Sequence, residues 1–263
     1  MNNSDPQPSS ANQTRETIIA VHYWTANLLS FRISRPSSFH FTPGHFARLG
    51  LDDEHATTVW RPFSVVSGPD DSTLEFFAVL VPGGSFSELL SAAREGARIS
   101  LEKRSYGFMT LDGFATDGKD LWLIASGTGL GPFLSILRDA STWERYENCV
   151  VVQSVRHGRD LAYCDEIASV SQSGSLRSNA RLCHLRVVTR EAWPDALQVR
   201  VTELLSDGRL ERAAGRQLDL EVSRIMVCGN PEMAAELRMF LVARGFRTSR
   251  RAAPGQLAFE NYW

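Results

Sequence analysis

Arg61-Pro62-Phe63-Ser64, with Ser67 three residues on, brings together a fixed cation, a flat aromatic and a hydroxyl. An arginine is a permanent, planar cation whose fork of donors matches a phosphate or pyrophosphate. Phe63 offers an apolar face, and Ser64 a small donor beside it. The set suits a ligand with a ring at one end and a diphosphate in the middle. The same residues would also serve simply to start a strand.

Two glycine-rich turns extend that chemistry. Ser126-Gly127-Thr128-Gly129-Leu130-Gly131-Pro132 follows an apolar run and precedes an amphipathic one. Such a turn lets a diphosphate approach backbone N–H groups at the positive end of a helix. Pro132 stands where the usual dinucleotide fingerprint has its third small residue, and it presets the first helical turn. Pro82-Gly83-Gly84-Ser85-Phe86-Ser87 opens a second helix, whose unpaired first amides and serine hydroxyls suit another diphosphate oxygen. Either turn is also a plain structural turn.

Further along, Cys228-Gly229-Asn230-Pro231 ends a strand and begins a helix, so that Cys228 is expected in the ligand crevice at the carboxyl ends of a sheet. A buried core cysteine is the alternative. Arg156, Arg190 and Arg200 fall at or just past strand ends, with His157 and Arg159 nearby. Clustered guanidinium groups there suit a phosphomonoester such as a ribose 2′-phosphate; dispersed, they are a solvated surface. The chain closes on Phe259-Glu260-Asn261-Tyr262-Trp263, and two terminal aromatics either stack on a flat ligand or clasp the core.

These residues need two kinds of scaffold. The first half reads as short alternating strands: residues 17–21, 28–33, 45–51, 61–67, 74–81 and 98–102, with turns at 25–27, 43–44 and 68–71. Strands at that spacing predict a small antiparallel barrel, interrupted by one helix from Ser85 or Phe86 to Ala93. The second half changes period. Apolar strands at 121–125, 149–154, 182–188 and 224–228 alternate with helices at 131–139, 199–205 and 231–244, the pattern of βαβ units and a parallel sheet. The polar stretch Asp112 to Asp120 separates the two. The predicted division is a disordered lead over 1–13, a barrel domain over 14–112 and an α/β domain over 113–263.

Composition supports a two-domain enzyme. The chain has 263 residues, 43% of them hydrophobic, and a net charge of −2. That balance argues against nucleic-acid binding through bulk charge, and no apolar run reaches the length of a membrane span. The polar N-terminus lacks a secretion signal, which predicts a cytoplasmic protein. Cys149, Cys164, Cys183 and Cys228 contain no C-x-x-C pair, so no iron–sulfur or zinc framework is expected; the first three read as buried, inert thiols.

Taken in order, the four motifs resemble the ferredoxin–NADP reductase family, over roughly Thr14 to Trp263. The terminal Tyr262-Trp263 pair is similar to the bacterial branch that reduces ferredoxin or flavodoxin. The resemblance implies an N-terminal six-stranded FAD-binding barrel followed by a Rossmann-like parallel α/β NADP-binding domain, with the aromatic tail returning to the flavin. It implies that Arg61 pairs with the FAD pyrophosphate and that Phe63 replaces the family's tyrosine against the flavin, keeping the stacking face without the hydroxyl. Ser64, with Val65 beside it, would face flavin N5. Gly84, Ser85, Phe86 and Ser87 would cap the diphosphate. Thr128 and Gly129 would meet the nicotinamide nucleotide, and Cys228 the nicotinamide ring. Arg156, Arg190 and Arg200 would hold the 2′-phosphate and favour NADP over NAD. Trp263 would stack on the FAD adenine, with Tyr262 beside the flavin region. The implied reaction is hydride transfer from NADPH to flavin N5, then one-electron steps to ferredoxin or flavodoxin. Arg247, Arg250 and Arg251 offer a docking patch for such an acidic partner, and a monomer is expected. The competing readings are an oxygenase reductase component or free-flavin reductase on the same frame, and a non-catalytic flavoprotein sensor.

Overall fold

The computed structural model describes residues 8–114, 118–177, 179–250 and 252–261. Of the expected disordered lead, residues 1–7 lie outside the described residues. Ser10–Asn12 form a 3-10 turn that leads into a strand already begun at Gln13. Gln13 pairs with Glu102, and the Lys103 ammonium donates to the Ala11 carbonyl, so neighbouring strands hold this segment in place.

Six strands build the first unit: β1 (Gln13–Thr25), β2 (Leu28–Ser34), β3 (Phe46–Asp52), β4 (Thr58–Ser64), β5 (Thr73–Val79) and, after α1 (Ser85–Ala92), β6 (Arg98–Tyr106). Their order is β4-β3-β6-β1-β2-β5, with every neighbouring pair antiparallel. Just past β4, Val65 bridges Phe76 and the Val66 N–H donates to the Glu75 carbonyl at 2.9 Å, closing the sheet into a barrel. Leu29, Phe31, Ile33, Leu49, Leu74 and Phe76 are among the alternate residues that fill it.

The strand expected at 61–67 is displaced. β4 pairs with β3 from Thr58 to Ser64, and the chain then leaves β3 for β5. Arg61 to Ser64 therefore form the end of the strand, and Ser67 lies beyond it. The Ser67 hydroxyl donates to the Thr73 carbonyl at 2.9 Å and accepts the Glu75 N–H at 2.7 Å, which commits it to the turn before β5.

The second unit runs β7 (Asp120–Ser126), α2 (Gly131–Arg138), α3 (Ala140–Arg145), β8 (Asn148–Val155), α4 (Cys164–Arg177), β9 (Arg181–Val188), β10 (Leu197–Gln198), α5 (Val201–Ser206), α6 (Arg209–Ala214), β11 (Ser223–Gly229), α7 (Pro231–Ala243) and β12 (Leu257–Asn261). Its sheet is parallel throughout, in the order β10-β9-β8-β7-β11-β12. Alternate strand residues serve opposite faces. Trp122, Ile124, Val150 and Val152 pack with α5, α6 and α7. Leu121, Leu123, Ala125 and Val151 pack with α2, α3 and α4, in a core that continues into Leu28, Val66 and Phe77 of the barrel. The two units thus share buried apolar surface.

The sequence pattern did not place α3, α4, α6, β10 or β12. The α4 segment is rich in serine and contains a glycine, both poor helix formers. β12 reads as a chain end, yet it pairs with β11 from Ile225–Leu257 to Gly229–Asn261 and completes the sheet. Cys164 and Cys183 are half-buried rather than buried, whereas Cys149 is sealed in the core. Burial still raises all three thiols, Cys149 to about 12, and none of them is disulfide-bonded.

Candidate active site

The strand order dictates where a ligand can sit. From β7 the chain moves to β8 and β9 on one side, then returns to β11 on the other. A crevice opens at such a reversal, at the carboxyl ends of the strands. Here those ends carry Gly127–Gly131 after β7 and Cys228–Asn230 at the end of β11. A Cβ on Gly129 would stand 2.3 Å from the Cys228 carbonyl oxygen, so only glycine allows this approach. Gly229 has φ +126°, and the Asn230 N–H donates to Ser126 Oγ at 2.7 Å. Gly127, at φ +54°, has open space where a side chain would lie. Asn230 caps α7 by accepting the Met233 N–H at 3.0 Å, with Pro231 in the first turn.

Cys228 is fully buried and lies on the sheet face shared with α2 and the barrel, so it is part of the core as well as a neighbour of the glycine turn. Thr128 and Gly129 stand in the short 3-10 turn that leads into α2.

From the barrel side, Arg61 is exposed and donates to its neighbour's carbonyl, that of Trp60, at 2.7 Å. Phe63 is half-buried; its ring lies 5.0 Å from Phe86 and 6.0 Å from Phe31. That contact ties β4 to the first turn of α1. Gly84 caps this helix: its carbonyl accepts the Glu88 N–H, its own N–H donates to Val81, and Ser85 is exposed beyond it. Ser87 Oγ accepts the Val81 N–H at 2.9 Å, and Phe86 is buried in the barrel, so these two side chains shape the turn. Ser64 is buried to 8% exposure at the seam between the two units. Val65 points into the barrel core, and its N–H donates to the His45 carbonyl, because strand alternation turns it away from the side Ser64 faces.

An exposed guanidinium, an aromatic face and a helix start with free first-turn amides stand together on one edge of the barrel. The donor set fits a flavin dinucleotide. Across the seam, α2 lies along this edge: a Cβ on Gly131 would be 3.4 Å from Ser64 Cβ. The barrel edge that carries Ser64 therefore borders the glycine turn of the second unit.

Arg156 follows β8 and Arg190 follows β9; both are exposed, and the Arg190 N–H donates to the Arg156 carbonyl at 3.1 Å. Arg200 precedes α5 on the same edge, but its guanidinium is 72% exposed and lies 3.6 Å from Glu236 of α7. His157 faces Glu191 at 3.7 Å, and Glu191 accepts the Gly158 N–H at 2.7 Å. Trp193 lies flat against Gly158, where a Cβ would fall 1.8 Å from the indole. Sequence reasoning missed this packing, although a tryptophan three residues past Arg190 was its visible trace.

Glu260 was also missed. It pairs in register with Cys228, its Oε2 is buried with no hydrogen-bond partner among the described residues, and burial pushes its carboxyl up to about 7. A lone acid between aromatic and polar residues at a chain end gave little warning. Tyr262 and Trp263 lie outside the described residues, as does Arg251; Arg247 and Arg250 are exposed on the loop before β12.

A flavin-type barrel joined to a parallel dinucleotide sheet, with glycine turns meeting at the seam, defines a flavin- and nicotinamide-dependent oxidoreductase. Residues 13–99 match the FAD-binding domain family and residues 123–238 the oxidoreductase NAD-binding domain family. The chain is 37% identical to ferredoxin–NADP reductase A of Sorangium cellulosum, over 94% of this chain and 89% of that protein. It is 33% identical to the flavodoxin/ferredoxin–NADP reductase of Buchnera aphidicola, over 94% and 97% respectively. Among solved structures, a ferredoxin–NADP reductase from Neisseria gonorrhoeae with bound FAD and NADP is 36% identical, with a TM-score of 0.89, over 96% of this chain and 99% of that one. The chain belongs to the ferredoxin/flavodoxin–NADP reductase family.

Proposed function

We propose that this protein carries electrons between NADPH and ferredoxin or flavodoxin, with FAD held on the barrel. The observation that supports this most directly is the meeting of Ser64 with Gly131, which sets the flavin-side strand against the nicotinamide-side turn. When bound, FAD accepts a hydride from NADPH and releases electrons singly.

The chain's own residues bind, orient and exclude water. Arg61 and the first turn of α1 neutralise the flavin diphosphate. Phe63 supplies a face for the ring, and Ser64 donates toward the hydride-accepting edge. Thr128 and Gly129 admit the nicotinamide ribose to close range, with Cys228 in the core just behind the glycine turn, near the ring. Arg156 and Arg190 hold the 2′-phosphate, with Arg200 as an outer contact. Tyr262 and Trp263 cover the flavin in this reading. Glu260, whose carboxyl changes charge near neutral pH, can hold or release a proton beside Cys228. No acid–base dyad is needed for hydride transfer itself; holding donor and acceptor close supplies much of the rate.

The reading divides the chain into a flavin domain over 14–112 and a nucleotide domain over 113–263. It also makes the protein a cytoplasmic monomer; no described helix is long and apolar enough to cross a membrane. Size-exclusion chromatography checks the monomer. The function itself is tested by NADPH oxidation with ferricyanide, ferredoxin, flavodoxin and free FMN compared as acceptors. Turnover with ferredoxin or flavodoxin at low concentration supports the proposal. Turnover with free FMN alone replaces it with a flavin reductase, and no turnover with any acceptor replaces it with a sensor.

A further inference from the structure

One face of α2 runs along the barrel segment just beyond Ser64. Gly131, Ser135 and Arg138 occupy positions i, i+4 and i+7, which a helix places in one row. Gly131 abuts Ser64. Ser135 Oγ, fully buried, donates to the Ser67 carbonyl at 2.7 Å. Arg138 donates to the Val66 carbonyl at 3.1 Å and to Glu75 Oε2 at 2.9 Å. The other oxygen of Glu75 accepts a hydrogen bond of 2.8 Å from the Tyr163 hydroxyl. Tyr163 belongs to the loop between β8 and α4, so one carboxylate on a barrel strand holds two separate elements of the nucleotide-binding unit.

Tyr163 is placed with care. It is buried at 1% exposure, its ring lies 4.7 Å from Trp24 and 5.1 Å from Phe77 of the barrel, and its φ is +63°. A non-glycine residue persists in that backbone conformation only where its surroundings over-determine it. Glu75 also holds the segment by its backbone, since its carbonyl accepts the Val66 N–H. The Glu75–Arg138 pair is partly buried, and such pairs add little net stability over apolar packing.

We propose that Glu75, Arg138 and Tyr163 are positioning residues: together they form a clasp that sets how closely the nicotinamide turn sits against the Ser64 edge, and so the rate of hydride transfer. The proposal rests on the site assignment given above. None of the three touches the reacting atoms in this view. They act through Val66 and α2, the segments that follow Ser64 and the glycine turn. A cavity of about 480 Å³, lined by Glu75, Arg138, Asp71 and Trp143 among others, opens on the outer side of the clasp. It has room for a small cation beside Glu75.

The test uses the FAD-loaded full chain and the variants Tyr163→Phe, Glu75→Gln and Arg138→Ala. Single-turnover flavin reduction by NADPH is expected to slow by roughly tenfold to a hundredfold, the scale of an ångström-level misplacement. NADPH saturation and FAD retention should stay unchanged. The flavin difference spectrum on adding NADP⁺, which involves no turnover, should change shape. The double variant Glu75→Gln/Tyr163→Phe should lose little more than the worse single, because coupled residues are not additive. Guanidinium ion should partly restore Arg138→Ala and leave the wild type unaffected. Wild-type rates and spectra in Tyr163→Phe, which removes only one hydroxyl, would overturn the clasp. So would rates that fall only in step with lost FAD or lowered Tm. Ser64→Ala distinguishes a failed site assignment from a failed clasp: if it leaves hydride transfer intact, the site assignment fails and the clasp with it. If it slows transfer while the clasp variants do not, the clasp alone fails.

Discussion

Gly129 lies against the backbone of Cys228 so closely that a single added carbon would meet its carbonyl oxygen at 2.3 Å and the Gly229 Cα at 2.8 Å. Both obstacles are main chain and cannot rotate aside. Gly129→Ala should therefore push the glycine turn away from β11, at an overpacking cost of about 1–3 kcal/mol. A lowered Tm together with a disproportionate loss of NADPH oxidation is the expected outcome. An alanine variant with wild-type turnover would mean the two turns need not meet.

Arg61 stands exposed on the strand that carries Phe63 and Ser64, so its removal leaves no buried charge behind. Arg61→Ala should weaken FAD binding by roughly tenfold to a hundredfold, the equivalent of about 1.5–3 kcal/mol for one charge-assisted contact. Folding should be barely affected. Equilibrium titration of the apoprotein with FAD, followed by flavin fluorescence, measures it.

Nucleotide choice should depend more on Arg190 than on Arg200. The 2′-phosphate is remote from the hydride, so discrimination against NADH rests on the side chains that bind that group. Arg190 is joined to Arg156 through the backbone, whereas Arg200 is largely solvated and already faces Glu236. Arg190→Ala should raise the NADPH KM by about tenfold with little change for NADH, and Arg200→Ala should raise it less. Added salt should raise the NADPH constant in the wild type, because an open charged site is screened. Equal losses with both nucleotides in Arg190→Ala would assign that arginine to the fold.

Glu260 makes stability depend on pH. Burial lifts its carboxyl from an ordinary 4.5 to about 7. A raised carboxyl favours the fold while protonated, so its contribution is complete below about pH 4.5 and is lost as pH climbs through 7. Between pH 5 and 8 the wild-type Tm should fall relative to that of Glu260→Gln, which stays neutral throughout. Parallel Tm profiles for the two proteins would place the Glu260 carboxyl in contact with water.

By itself the sequence determined the two halves and their order. Period-two alternation through residues 45–51 and 98–102 needs a half-buried strand, and the apolar runs at 121–125 and 224–228 need a sheet covered on both faces. The glycine turns were legible for the same reason: close backbone approach and positive φ are demands on residue type that a sequence displays directly. Helix starts at Pro132 and Pro231 followed suit. What the chain could not show locally was decided by partners far away along it. The Ser67 hydroxyl at the end of the Arg61–Ser67 motif is claimed by the turn before β5, and the terminal segment became a strand only because β11 offered it an edge. Glu75, Arg138 and Tyr163 lie 63 and 88 residues apart along their two hydrogen bonds. A side chain's pattern with its neighbours records which face it occupies. Which distant group meets it there is set by the closing of the barrel and the docking of α2, so only the tertiary structure assigns it.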